Sequence, residues 1–77
     1  MTLDIFTKNF AALFPEKERA GIAPETPFRE IPGWNSLVAL SIIAMTEDEC
    51  GVLLHGEDIR NAKTVRDIFS AAQAKKS

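Results

Sequence analysis

Gly33-Trp34-Asn35-Ser36-Leu37-Val38-Ala39-Leu40-Ser41-Ile42-Ile43-Ala44-Met45-Thr46-Glu47-Asp48-Glu49-Cys50-Gly51 is the stretch that decides the fold. Its apolar residues recur at three- and four-residue steps, the spacing of a helix face. Leu37, Leu40 and Ala44 make one stripe with Ile43 beside it, and Val38, Ile42 and Met45 make another. The spacing predicts a helix from Ser36 to about Cys50, closed by Gly51 in the left-handed position that commonly ends helices. Because it is apolar over more than half its circumference, this is expected to be the central helix. Glu47, Asp48 and Glu49 fall in the last turn, where the helix dipole disfavours negative charge. They read equally as a solvated face or as a patch that meets a partner.

Helical spacing appears twice more, and strand alternation nowhere convincingly. Leu3, Phe6, Phe10, Leu13 and Phe14 recur along Thr2 to Phe14, with Lys8 and Asn9 opposite. Thr2 suits the N-cap, Asp4 the first turn, and Pro15 stops the helix. Near the other end, Thr64-Val65-Arg66-Asp67 has the spacing of a capping box. Val65, Ile68, Phe69 and Ala72 give the helix that follows an apolar face, and Ala74 to Ser77 are expected to fray.

The segments between are less regular. From Pro15 to Asn35 all four prolines of the chain (Pro15, Pro24, Pro27, Pro32) alternate with Ile22, Phe28, Ile31 and Trp34. So long a connection is unusual within a compact domain, and its large apolar residues predict a loop pinned to the core. Val52-Leu53-Leu54 reads as a packed loop and Gly56 to Asn61 as one short helical turn. The expected fold class is all-α: a small bundle of three main helices and one short helix, with a long loop between the first two main helices.

Composition bounds the function. Seventy-seven residues make a single domain, and a chain of this size buries only about 60% of its extended surface. That leaves a core but little room for a deep active-site cavity. Nine basic against eleven acidic residues, a net charge of −2, argue against nucleic acid, which calls for a clustered basic footprint. The single cysteine, Cys50, excludes an internal disulfide and suits a reducing compartment. Met1 to Asp4 has no basic leader region, and the apolar run Ile42 to Met45 is far too short to cross a bilayer. A cytoplasmic location without membrane insertion is expected.

Ser36 sits where the long loop meets the helix. A hydroxyl there can cap the helix by accepting a backbone hydrogen bond. Alternatively it can carry a covalently attached phosphate group, which a helix N-terminus favours electrostatically. Ala39, three residues on, is neither Glu or Gln, so no capping box commits Ser36 to a structural role.

The residues resemble the acyl carrier protein family. That family places a serine followed by Leu or Met at the start of its second helix, preceded by Asp and usually a nearby Gly. Fourteen positions after the serine comes an aromatic-Gly-Ile/Val ending preceded by acids, where this chain has Cys50 in place of the aromatic, and further on a Thr-Val pair opens the last helix. Here the order is Gly33-Trp34-Asn35-Ser36-Leu37, Glu47-Asp48-Glu49-Cys50-Gly51-Val52 and Thr64-Val65, without gaps.

The resemblance implies that Ser36 is the attachment site for 4′-phosphopantetheine, flanked by Asn35 and Leu37. A phosphopantetheinyl transferase would install the arm from coenzyme A. The arm's thiol would then carry acyl groups as thioesters between acyl-loading and acyl-using enzymes in a fatty-acid, lipid or polyketide-type pathway. The chain would be a monomer and a substrate of enzymes rather than an enzyme. Asn35 replaces the family's Asp, and Val38 and Ser41 stand where typical members are acidic. Partners are therefore expected at a more apolar surface around Val38, Ser41 and Met45, with Glu47 and Asp48 as charge contacts. An aminoacyl or peptidyl carrier with the same arm, although the His common before its serine is missing, and an unmodified helical interaction module are the alternatives.

Other chemistry finds little footing. Trp34 is expected to anchor the loop, Cys50 to be a buried small hydrophobe and the five phenylalanines to be core. His55 has no second ligand or carboxylate at metal spacing, so no metal site is expected. Nothing in the spacing of Ser36, His55 and the aspartates suggests a hydrolytic triad.

Overall fold

The structure is a computed structural model that describes residues 1–76. It contains five α-helices: α1 (Leu3–Ala11), α2 (Glu16–Arg19), α3 (Ser36–Cys50), α4 (Gly56–Asn61) and α5 (Val65–Lys76). A single 3-10 turn, Phe28–Glu30, interrupts the loop before α3, and no strand occurs among the described residues. The expected all-α bundle of three longer helices is what the chain forms. The long connection differs in one respect, because it holds α2 and the 3-10 turn rather than irregular backbone throughout.

α1 starts where Thr2 Oγ1 accepts from the N–H of Ile5 at 3.2 Å. It ends earlier than Pro15, as its backbone tightens into i→i+3 bonds at Leu13 and Phe14. The Arg19 guanidinium then reaches back from α2 to the carbonyls of Phe14 and Ala12, at 3.0 and 3.2 Å. A cation on those last carbonyls is favourable for the helix dipole. Phe6, Phe10 and Phe14 point inward from this segment and meet Phe28 from the loop, and all four are buried. The rings of Phe10 and Phe28 lie edge to face at 6.2 Å.

The loop is held by the start of α5. The first N–H groups of a helix have no partner inside it. Here the N–H of Val65 donates to the Thr26 carbonyl and that of Arg66 to the Pro24 carbonyl, at 3.3 and 2.8 Å. Thr64 Oγ1 accepts from the Asp67 N–H, while Asp67 Oδ2 accepts from the N–H of Thr64. This completes the capping box expected from the sequence. Backbone bonds of α5 thus fix residues 24–28, which seat Phe28 in the core.

α3 has the bounds its sequence predicts, with Gly51 at φ 71° after its last residue. Its expected place at the centre of the fold is corrected. Only Ile42, Thr46 and Cys50 are buried; Val38 and Met45 are half-buried against the core, and Leu37, Leu40 and Ala44 face outward. The core instead gathers around the phenylalanines, with Leu54, Val65 and Ile68. The expected fraying after Ala74 is also corrected as far as Lys76. α5 stays helical there, aided by Lys75 Nζ at 3.3 Å from Asp58 Oδ2; Ser77 lies outside the described residues.

Candidate functional site

The loop delivers the chain to Ser36 through a run of aromatic contacts. Trp34 is half-buried, its ring 4.9 Å from Phe28 and stacked on Phe14 at 6.4 Å. Gly33 has φ 99°, and a Cβ there would come within 3.0 Å of Pro15 Cδ. Both the backbone conformation and the close approach therefore call for glycine. The chain then enters α3 in a fixed orientation, with Trp34 as the loop anchor expected from the sequence.

Asn35, not Ser36, is the cap. Its Oδ1 accepts from the backbone N–H of Val38 at 2.9 Å, and its backbone is extended as an N-cap requires. Ser36 is the first helical residue. It is exposed, and its hydroxyl has no hydrogen-bond partner among the described residues. The capping role weighed for Ser36 is thus filled by its neighbour, leaving a free hydroxyl beside the unpaired N–H groups of a fifteen-residue helix.

Ser36 also lines a cleft of about 420 Å³ between α3 and α4. Its apolar surface comes from Ala39, Leu40, Ile43 and Ile59, and Gly56 lines it from α4. Arg29 and Arg60 supply its charge. The Arg29 guanidinium donates to the carbonyls of Ala62, Ile59 and Arg60 at 2.6, 2.7 and 3.0 Å. It also lies 4.8 Å over the Phe28 ring. These bonds satisfy the end carbonyls of α4 and tie that helix to the loop. At its other end, His55 donates its backbone N–H to Asp58 Oδ2 at 2.7 Å. That bond first, and then Lys75, holds the Asp58 carboxyl below its ordinary value of 3.8.

The residues singled out from the sequence are partly brought together. Asn35, Ser36 and Leu37 are consecutive, and Leu37 is 72% exposed. Val38 and Met45, expected on an exposed docking surface, pack against the core instead. Ser41 is half-buried and donates its hydroxyl to the Leu37 carbonyl at 3.0 Å. The exposed apolar surface beside Ser36 is therefore Leu37 and Leu40, the latter 62% exposed. Glu47 and Asp48 are exposed at the far end of the same helix, whereas Glu49 accepts from Asn9 Nδ2 at 2.7 Å. Cys50 is buried, its Sγ 3.7 Å from Met1 Sδ. No group of three or more His, Cys, Asp or Glu capable of holding a metal occurs among the described residues.

Leu40 and Ile43 follow Ser36 by four and seven residues, so helical spacing places them on its face, whereas Arg29, Ile59 and Arg60 carry no signal in the sequence that marks them as its neighbours. No protein-family model matches the chain, and no curated protein matches it. Among the described residues, no helix is long and apolar enough to cross a membrane.

Proposed function

We propose that this chain is an acyl carrier, loaded on Ser36 with 4′-phosphopantetheine. The observation that carries this reading is the free, exposed Ser36 hydroxyl in the first turn of α3, with Asn35 already serving as the cap. The resemblance in serine motif, acidic helix end and Thr-Val pair supports it.

The residues present fit the group. A phosphodiester on Ser36 would accept hydrogen bonds from the N-terminal N–H groups of α3, and the cleft adjoins the serine that would bear the arm. When bound, the arm supplies the thiol that carries an acyl group as a thioester. In loading, Ser36 Oγ forms a bond to the pantetheine-bearing phosphorus of coenzyme A. The bridging P–O bond of the pyrophosphate breaks, adenosine 3′,5′-bisphosphate leaves, and the hydroxyl proton passes to a base of the transferase. The chain's own contribution is to present the oxygen and to hold α3 rigid beneath it. Leu37 and Leu40 form the surface that partner enzymes meet around the serine. The protein acts as a monomeric substrate of those enzymes.

The test is to incubate the protein with coenzyme A and a broad-range phosphopantetheinyl transferase and to weigh it. A mass gain of one arm is expected for the wild type and none for Ser36→Ala. Absence of any gain would overturn the reading and leave an unmodified interaction module, which the exposed Leu37 and Leu40 would also suit.

A further inference from the structure

The charge of the cleft beside Ser36 opposes that of the chain. The protein carries a net −2, yet two arginines and no carboxylate line this cleft. The two arginines are not equivalent. Arg29 spends its guanidinium on three backbone carbonyls. Arg60 is exposed, and its side chain has no hydrogen bond or ion pair among the described residues. The acid that shares its face of α4, Glu57 three residues before it, is exposed and makes no ion pair with it among the described residues.

Apart from Ser36, Gly56 and the two arginines the lining is hydrocarbon: Ala39, Leu40, Ile43 and Ile59. A cleft with an apolar body and one cation that makes no hydrogen bond selects a ligand of the same layout. A guanidinium with an uncommitted planar donor edge matches a carboxylate.

We propose that this cleft selects an acyl cargo bearing a carboxylate at its distal end, with the hydrocarbon chain against Leu40, Ile43 and Ile59 and the carboxylate on Arg60. This rests on the carrier reading above and names its substrate class: half-thioesters of dicarboxylic acids rather than plain fatty acyl groups.

The experiment loads the protein from free, hexanoyl- and adipoyl-coenzyme A, the last two equal in carbon count and differing in the terminal carboxylate. Amide and arginine side-chain chemical shifts and the rate of thioester hydrolysis are then measured. The adipoyl form is expected to shift the Arg60 Nε–H and the amides of Ile43 and Ile59. It should also hydrolyse about threefold more slowly than the hexanoyl form, the scale of one partly exposed ion pair. Arg60→Gln should erase that difference and leave the melting temperature unchanged.

Identical behaviour of the two acyl forms would overturn the proposal. So would an equal Arg60 shift in the unacylated form, which would assign the anion to the arm's phosphodiester. If the chain accepts no arm, the carrier reading falls separately, and titration of the unmodified protein with free adipoyl- and hexanoyl-pantetheine decides the cleft. Preference for adipoyl at Arg60 sustains its selectivity, and equal binding refutes it.

Discussion

The Asn35 side chain accepts the backbone N–H of Val38 at 2.9 Å, and this one bond frees Ser36. Both residues could cap α3, and both lie at its start. With the cap on Asn35, the serine one position later points its hydroxyl at solvent with no structural duty. An amide suffices for the cap, so Asn35 fixes the helix start without placing a charge there.

Asn35→Ala is expected to lower stability by about 1 kcal/mol, the usual worth of an N-cap. Asn35→Asp keeps the acceptor and adds a negative charge at the positive helix end, for a gain of about 0.3–1 kcal/mol at low salt. Urea denaturation of the two variants measures both. The Asp variant should also accept the arm faster than the wild type in a timed transferase assay.

Phe28→Ala is expected to cost about 3–5 kcal/mol, as for other buried phenylalanines. Stability for a chain this long is on the order of 4–12 kcal/mol, so the substitution removes about a quarter of it or more. Phe28 joins the α1 phenylalanines to Trp34, and the loss should register as a collapsed near-ultraviolet signal from that single tryptophan.

Arg29→Ala removes three carbonyl contacts at the end of α4. A loss of about 1–2 kcal/mol follows from hydrogen bonds to a charged donor that is itself solvent-exposed. The local signature is faster amide hydrogen exchange in Gly56–Asn61, with α1 little changed. Uniform acceleration across the chain would contradict the assignment of Arg29 to α4.

Acid should destabilise the fold through two capping carboxylates. Backbone N–H donors of His55 and, for the second, of Thr64 and Lys63 hold Asp58 and Asp67 below the ordinary 3.8. The folded state then binds these protons less readily than the unfolded state. Their stabilisation is complete above the ordinary carboxylate range and is lost as pH falls through the lowered values. A double Asp58→Asn, Asp67→Asn variant should show a flatter fall in melting temperature between neutral pH and strong acid.

Leu37→Ala and Leu40→Ala should each change stability by less than about 0.5 kcal/mol, because both side chains are mostly exposed. Their effect should fall on partner enzymes, read as weaker binding of the transferase in a titration. Val38→Ala, at a residue packed against the core, should instead lower stability.

The ends of the elements were the legible part of this chain. Thr2, Gly51 and the Thr64–Asp67 pair act locally, through the backbone within one turn, so their residue types state their roles. The face of α3 was not legible. Leu37-Leu40-Ala44 and Val38-Ile42-Met45 satisfy the same spacing, and only tertiary packing chose the second stripe for the core. That choice moved the exposed apolar surface from Val38 and Met45 to Leu37 and Leu40. The stitching of the loop onto α5 was also invisible, because the carbonyls of Pro24 and Thr26 perform it and any residue has a carbonyl. For the same reason Arg29 and Arg60 could not be assigned to the cleft beforehand. Their positions depend on where α4 docks, some thirty residues from Arg29 in the chain.

The central claim concerns one oxygen atom, and fragment mass spectrometry addresses it most directly. After incubation with coenzyme A and transferase, the peptide spanning Trp34 to Met45 should carry one phosphopantetheine, located on Ser36 and not on Ser41. An unmodified peptide under conditions that fully load a control carrier, or an arm found on any other residue, would contradict the account.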